Sequence, residues 1–131
     1  MGVKDRRKEV EAAILGILET NLSQVSWKKM LKGFQREKGV SGSLVNFKTD
    51  FERDSKDKLK ATAVYSIILA DPDNTDTVDD IADEVFDLLD NDDLDGVITV
   101  GDVKSIYYGA APNKAEAGSV LMVYQVQYYV E

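Results

Sequence analysis

Two long runs of β-type sequence constrain this chain more than any other feature. Val120–Val130 alternates along its whole length, which is the two-residue period of a strand with one buried side. Leu59–Ala70 is rich in β-branched and aromatic residues and is mostly apolar on both sides, which is typical of a central strand. A chain with two such segments is expected to fold around a β-sheet.

Each of these segments has a predicted partner strand. Val45–Glu52 alternates and is joined to Leu59–Ala70 by a polar turn at Ser55–Lys58, so the pattern predicts a β-hairpin over 44–70. Val97–Tyr108 reads as a strand in which Gly101 marks a bulge, and the loop at 109–118 permits antiparallel pairing with the last strand. The predicted buried side of the first strand holds Val45, Phe47, Thr49 and Phe51.

Two amphipathic helices are predicted, over 5–20 and 77–90. Apolar residues recur at helical spacing in the first: Val10, Ala13, Ile14, Ile17 and Leu18. The second follows the strand-ending segment Asp71–Asn74, begins at the good cap Thr77 and has an apolar stripe: Val78, Ile81, Val85, Leu88 and Leu89. Its opposite face is acidic and holds Asp80, Asp83, Glu84 and Asp87.

Residues 23–43 are harder to interpret. Trp27, Met30, Leu31 and Phe34 follow helical spacing with lysines between them, which predicts a basic amphipathic helical stripe. Gly39–Ser43 is then a flexible loop. The whole chain, 1–131, is predicted to form a single α+β domain in the order α-β-β-α-β-β, a four-stranded, mostly antiparallel sheet with two main helices packed on one face.

Composition excludes several classes of function. The chain has no histidine and no cysteine, so a Ser/His/Asp triad, a Cys/His dyad, a disulfide and the usual zinc sites are excluded. The commonest general base and the commonest transition-metal ligand are absent with histidine. No apolar run is long enough to span a bilayer, and the charged first residues lack the apolar stretch of a signal peptide, so a cytoplasmic protein without membrane contact is expected.

Charge is divided unevenly along the chain. Residues 1–60 hold 14 Lys/Arg and 9 Asp/Glu, whereas residues 61–131 hold 2 Lys/Arg and 15 Asp/Glu, within a net charge of −8. The two halves are either differently charged faces without a partner, or complementary patches that join neighbouring copies head to tail, as in a closed ring. The candidate interface residues are Arg6, Arg7, Lys28, Lys29 and Lys32 on the basic side and Asp80, Asp83, Glu84 and Asp87 on the acidic side.

A calcium-binding loop is the main alternative. Asn91–Asp102 resembles an EF-hand loop, with Asn91, Asp93 and Asp95 at positions 1, 3 and 5 and Gly96 at position 6. Three features oppose it: Asn at position 1, Asp where a bidentate Glu is expected at position 12, and a following segment without a helical stripe. An acidic turn between a helix and a strand accounts for the same residues.

Two further alternatives involve nucleic acid. The basic stripe could contact phosphates through Lys28, Lys29, Lys32, Arg36 and Lys38, but the net charge opposes such binding. A metal-dependent nuclease is opposed by the clustering of acids on one helix face and one turn, without a converging basic residue.

Several stretches together resemble a known family. They are the helix around Glu11–Leu15, the strand Ala61–Leu69 followed by Ala70-Asp71-Pro72, the acidic helix from Thr77, and the terminal Val123–Tyr128. In pattern and order they are similar to bacteriophage tail terminator, or tail completion, proteins of the minor tail protein U type, over most of residues 5–20 and 59–131. Residues 23–43 depart from that pattern.

The resemblance implies a structural protein of virion assembly. It implies no enzymatic activity, no catalytic residues, no cofactor and no metal, which agrees with the absence of histidine and cysteine. It implies a homo-oligomeric, hexameric ring that docks on the tail tube protein, stops tube polymerisation and presents a surface to the head–tail connector protein. It also implies location in the host cytoplasm during assembly and in the virion tail afterwards. DNA would pass through the lumen without specific binding, and an acidic excess suits such a passage because like charges repel.

Overall fold

The computed structural model describes residues 2–28, 39–71, 75–109 and 119–131, which form a mixed five-stranded sheet and two helices. The elements in chain order are α1 (Val3–Asn21), β1 (Ser26–Lys28), β2 (Ser41–Ser55), β3 (Lys58–Ala70), α2 (Thr75–Leu89), β4 (Val100–Tyr108) and β5 (Ser119–Val130). The predicted α+β class and both predicted helices are confirmed.

The strands lie side by side in the order β1-β2-β3-β5-β4. β2 pairs antiparallel with β3, β3 with β5, and β5 with β4, so the two predicted hairpins share one sheet. The prediction of four strands omitted β1, which is short and pairs in parallel with the start of β2. The last strand in the sequence therefore lies inside the sheet, between β3 and β4.

One face of the sheet packs against both helices and forms the core. The odd-numbered residues of β3 from Ala61 to Leu69 and the even-numbered residues of β5 from Val120 to Val130 are buried, as their alternation predicts. α1 buries Val10, Ile14, Leu15 and Leu18 against this face, and α2 buries Val78, Ile81, Ala82, Val85 and Leu89. Among the described residues, no helix is long and apolar enough to cross a membrane.

The predicted register of β2 is wrong, because a bulge interrupts the alternation. The pairing shifts at Phe47, between Asn46 opposite Tyr65 and Lys48 opposite Val64. Val45 consequently lies on the face away from the helices, and Phe47 is 72% exposed. Phe51 pairs with the buried Ala61 but lies beyond the cover of the helices and is 46% exposed.

Residues 23–43 also differ from the prediction at both described ends. Trp27 and Lys28 belong to the strand β1, not to a helix, and Ser41–Ser43 begin β2, not a loop. The Trp27 ring lies against Gly42, at a place where any β-carbon would collide with it. The rest of the predicted helical stripe, in 29–38, lies outside the described residues, as does the predicted loop at 110–118.

Gly101 does not mark the bulge of β4, which lies instead between Val103 and Ser105. A β-carbon on Gly101 would lie 2.5 Å from the Tyr124 hydroxyl oxygen and 2.9 Å from two ring carbons. The glycine is therefore explained by the close approach of a buried tyrosine on the neighbouring strand β5, and the strand around it begins at Val100, three residues later than predicted.

Candidate functional site: subunit-interface surfaces

The predicted acidic face of α2 is exposed. All four of its predicted carboxylates point away from the core: Asp80, Asp83, Glu84 and Asp87. The opposite side of α2 packs over β4, β5 and β3. Glu84 and Asp87, together with Leu88, also line a cleft of about 280 Å³ that reaches the C-terminal end of α1 at Asn21 and Leu22. The helix therefore presents a continuous negative surface on the part of the domain that covers β4 and β5.

Arg6, predicted as a basic interface residue, makes contacts within its own chain. Its Nε donates to the Tyr129 carbonyl oxygen at 2.9 Å and its Nη2 to the Val97 carbonyl oxygen at 2.5 Å. Nη1 pairs with Glu9, and the guanidinium carbon lies 5.3 Å from the centre of the Tyr128 ring. The side chain is only 16% exposed, so it ties the start of α1 to the end of β5 and to the segment before β4.

The structure shows fewer contacts for the other basic candidates. Arg7 is 46% exposed in its side chain, and its Nε lies 3.9 Å from the Glu11 carboxylate, a loose ion pair along the helix. Lys28 ends β1 at the opposite side of the sheet from β4. Lys29 and Lys32 lie outside the described residues. Lys28 and β4 thus lie at opposite lateral edges of the sheet, but Glu84 and Asp87 share their cleft with Leu22, whose carbonyl accepts from Trp27 Nε1 at 3.3 Å. Arg6 is bonded to the end of β5 and to the segment before β4.

Three tyrosines lie buried on the helix-facing side of the sheet. The Tyr65 hydroxyl donates to the Glu11 carboxylate at 3.1 Å, whereas no hydrogen-bond partner is found for the hydroxyls of Tyr124 and Tyr128. Burial, reinforced by nearby carboxylates, raises the pKa of Tyr65 and of Tyr124 well above the usual value. Burial also raises the pKa of Tyr128, although Arg6 opposes the effect. All three remain protonated in the folded protein near neutral pH.

The acidic turn before β4 is ordered by its own hydrogen bonds. Asp92 Oδ2 accepts from the Leu94 amide at 2.9 Å, and Asp90 Oδ1 accepts from the Val103 amide at 2.9 Å. The segment after the turn is the strand β4, as predicted, and not the exiting helix of an EF-hand. Within the ranges that the structure describes, no three acidic side chains are grouped as a metal site would require.

Exposed aromatic side chains on strands near the sheet's lateral edges escaped the sequence analysis. Phe47 and Phe51 on β2 are 72% and 46% exposed, and Tyr107 and Tyr108 on β4 are 54% and 60% exposed. The alternation of either strand does not indicate that these side chains are exposed. Their exposure depends on which strands form the edges of the sheet and on how much of the sheet the helices cover. The Tyr107-Tyr108 pair directly before Gly109 is the only local signal that a strand ends in solvent.

Comparisons with known proteins add little to this description. No protein-family profile matches the chain, and no curated protein sequence matches it. Among the solved structures that match, one aligns with 92% of this chain and 98% of its own, at 16% sequence identity and a TM-score of 0.39. A likeness of that degree assigns no family, so the functional argument depends on the surfaces described above.

Proposed function

We propose that this protein forms a ring, a hexamer, that caps the tail tube of a phage or of a prophage-derived tail. The ring would stop polymerisation of the tube and offer a surface for head–tail joining, with the tail tube protein and the head–tail connector protein as its partners. DNA would pass through its lumen without specific binding. The family resemblance of the sequence supports this proposal, and the distribution of charge on the fold supports the ring.

The exposed acidic face of α2, which forms no ion pair with any described basic side chain, is the observation that carries the proposal. β1 ends at Lys28 on one lateral edge, and Lys29 and Lys32 follow it in the sequence. The acidic face of α2 lies over the strands of the other edge, β4 and β5. Five strands have four gaps of about 4.8 Å, so β1 and β4 are about 19 Å apart across one copy. A closed ring needs two different patches on each subunit, which this arrangement supplies.

The energy of such contacts is modest. An exposed ion pair contributes about 0–1 kcal/mol and is screened over about 8–10 Å at physiological salt. Isolated copies are therefore expected to associate weakly, and assembly on a tail tube is expected to be tighter because each copy engages several neighbours at once. Charge sets the rate and register of association more than its affinity.

The first test is the mass of the particle in solution at several protein and salt concentrations. Replacing Asp83 and Asp87 together by lysine should weaken association about tenfold or more, since 1.4 kcal/mol corresponds to a factor of ten. The matched control replaces Asp54 and Asp57 by lysine, which makes the same change in net charge at the β2–β3 turn. Equal assembly of both variants would contradict the charge-complementary ring.

The second test concerns termination itself. Purified tail tube protein that polymerises without limit should give short, uniform tubes when this protein is added, and tubes of unchanged length with the Asp83→Lys/Asp87→Lys variant. Rings that leave tube length unchanged would refute termination while leaving the ring intact.

A further inference from the structure

The lateral edge of the sheet at β1 is stepped. β1 runs beside β2 only at Ser41–Ser43 and therefore adds a strand at one end of this edge. Beyond that step, from Leu44 to Ser55, no described strand pairs with the outer side of β2. Among the described residues, which leave out 29–38, the edge thus consists of a projection, β1, followed by a notch one strand deep.

The opposite edge, at β4, is stepped in the reverse sense. Asp92 bridges Gly101, and the amide of Asn91 donates to the Gly101 carbonyl at 2.7 Å, so this segment lies along the start of β4. From Ser105 to Tyr108, no described residue forms a strand on the outer side of β4. In the part of the chain that the structure describes, which leaves out 110–118, this edge consists of a projection at Asn91–Asp92 followed by a notch toward the end of β4.

The strand pairings show that the two steps lie at matching positions along the strand direction. One row across the sheet runs Trp27, Gly42, Leu69, Val120, Tyr108. A second row runs Thr49, Ala63, Val126, Gly101, Asp92. A copy placed one sheet width to the side, and rotated about the ring axis so that its edge strand continues the twist of the sheet, would therefore place β1 in the notch beside the neighbour's Tyr107 and Tyr108. The same displacement would place the neighbour's Asn91–Asp92 in the notch beside Lys48 and Thr49.

Strand direction allows the new pairing. β1 runs parallel to β2, and three successive antiparallel pairings make β4 run opposite to β2. β1 and the β4 of a sideways-displaced copy are then antiparallel, the commoner and slightly more stable arrangement. Unpaired edges with exposed aromatic residues are a liability unless another chain covers them.

We propose that head-to-tail copies of this chain join through these two stepped edges, so that the partner of the β1 edge is the β4 edge of a second copy. This inference rests on the proposed ring and names the surface that closes it. Trp27 lies on the helix-facing side of its row, as does Tyr108, so the two side chains share one face of the joined sheet. The Trp27 ring covers Gly42, and its Nε1 donates to the Leu22 carbonyl at 3.3 Å. The acidic turn with Asp90, Asp92 and Asp93 comes to lie beside Lys48, whose Nζ already pairs with Asp50 Oδ2 at 3.2 Å in its own chain. The register therefore rests on strand pairing and not on charge.

Disulfide trapping tests the joint directly, because the chain contains no cysteine of its own. The double variant Lys28→Cys/Tyr107→Cys should form intermolecular disulfides on mild oxidation. Both positions share one row, and adjacent antiparallel strands bring Cα atoms to about 4.5–5.5 Å, within the range a disulfide needs. Within one copy the two positions are about 19 Å apart, so no intramolecular bond can form.

The matched control is Lys28→Cys/Lys104→Cys. Lys104 is exposed on β4 but lies three residues, about 10 Å, before Tyr107 along the strand. We expect a ladder of covalent oligomers for the first pair and none for the control at the same protein concentration. Equal trapping of both pairs would show random collision and would overturn the proposed joint.

Fluorescence gives a second readout that needs no cysteine, because Trp27 is the chain's only tryptophan. Its emission should change with protein concentration at the same midpoint as particle mass, and Tyr108→Ala should raise that midpoint at least tenfold. The joint, but not the ring, would be refuted if mass measurement showed rings while Trp27 emission stayed constant and the Lys28/Tyr107 cysteine pair formed no disulfide. A wild-type chain that stays monomeric at high concentration, alone and with tail tube protein, would refute both.

Discussion

Substituting Gly101 by alanine should destabilise the protein out of proportion to the single methyl group added. The new β-carbon would lie 2.5 Å from the hydroxyl oxygen of Tyr124 and 2.9 Å from its Cε1 and Cζ atoms. Tyr124 is completely buried, so its ring has no solvent side into which it can move. Either the ring must leave its rotamer or the β4–β5 pairing must widen at Gly101.

The size of the effect follows from the cost of overpacking. Inserting a methylene-sized group into a packed core costs about 1–3 kcal/mol. A loss near 2 kcal/mol would lower the urea midpoint by about 1 M, since small proteins lose about 1–3 kcal/mol per molar urea. The measurement is urea unfolding of dilute protein, at a concentration where particle mass shows no association, because assembly adds to apparent stability.

Two companion variants isolate the cause. Gly16→Ala, in α1, meets no atom within 4 Å and should stabilise the protein by about 0.5–1 kcal/mol. Tyr124→Phe removes the nearest colliding atom, so adding it to Gly101→Ala should restore part of the loss. The reasoning would be refuted if Gly101→Ala unfolded within 0.3 kcal/mol of the wild type, or if the phenylalanine brought no recovery.

Three further predictions concern stability, pH and calcium. Arg6→Ala should cost about 2–3 kcal/mol in urea unfolding because two carbonyl acceptors lose a charged donor, whereas Arg7→Ala should stay within about 0.5 kcal/mol. Burial raises the pKa of Tyr65 in the folded protein, so the unfolded chain releases that proton first and stability should fall as pH rises above about 10. In Tyr65→Phe the total fall between pH 9 and 11, measured by urea unfolding, should be smaller by about 1.4 kcal/mol. Calorimetry should detect no micromolar calcium binding, and a binding heat that disappears in Asp95→Ala would instead support the EF-hand-like alternative.

Helices and central strands were predictable from this sequence because burial imposes a simple period on them. The stripe of α2 and the alternation of β5 each face one core surface without interruption, so local pattern and tertiary structure agree. The prediction for β2 failed because the bulge at Phe47 changes the phase of the alternation. The sequence continues to alternate through the bulge, with Val45 before it and Phe51 after it, and so gives no sign of the change. A regular sequence therefore concealed an irregular strand.

The interface surfaces were predictable only in part. The exposed acidic face of α2 follows from its helical period. The contacts of Arg6 could not be predicted, because its acceptors are the backbone carbonyl groups of Val97 and Tyr129, and every residue has such a group. β1 was missed because Trp27 begins a run with helical spacing, while its strand geometry is fixed by pairing with Gly42 in another segment. Edges of a sheet are a property of topology, and topology requires long-range pairings that local patterns do not contain.

The central position of β5 has a consequence for synthesis on the ribosome. β3 and β4 are both paired with β5, so neither the joined sheet nor its core can form until Ser119–Val130 has emerged. Until then the nascent chain can form the β2–β3 hairpin and its two helices, with the apolar side of β3 exposed. Such a chain depends on late, non-local pairing, which slows folding and favours aggregation of incomplete products. Premature stop codons before residue 119 should therefore yield insoluble fragments instead of partly active domains.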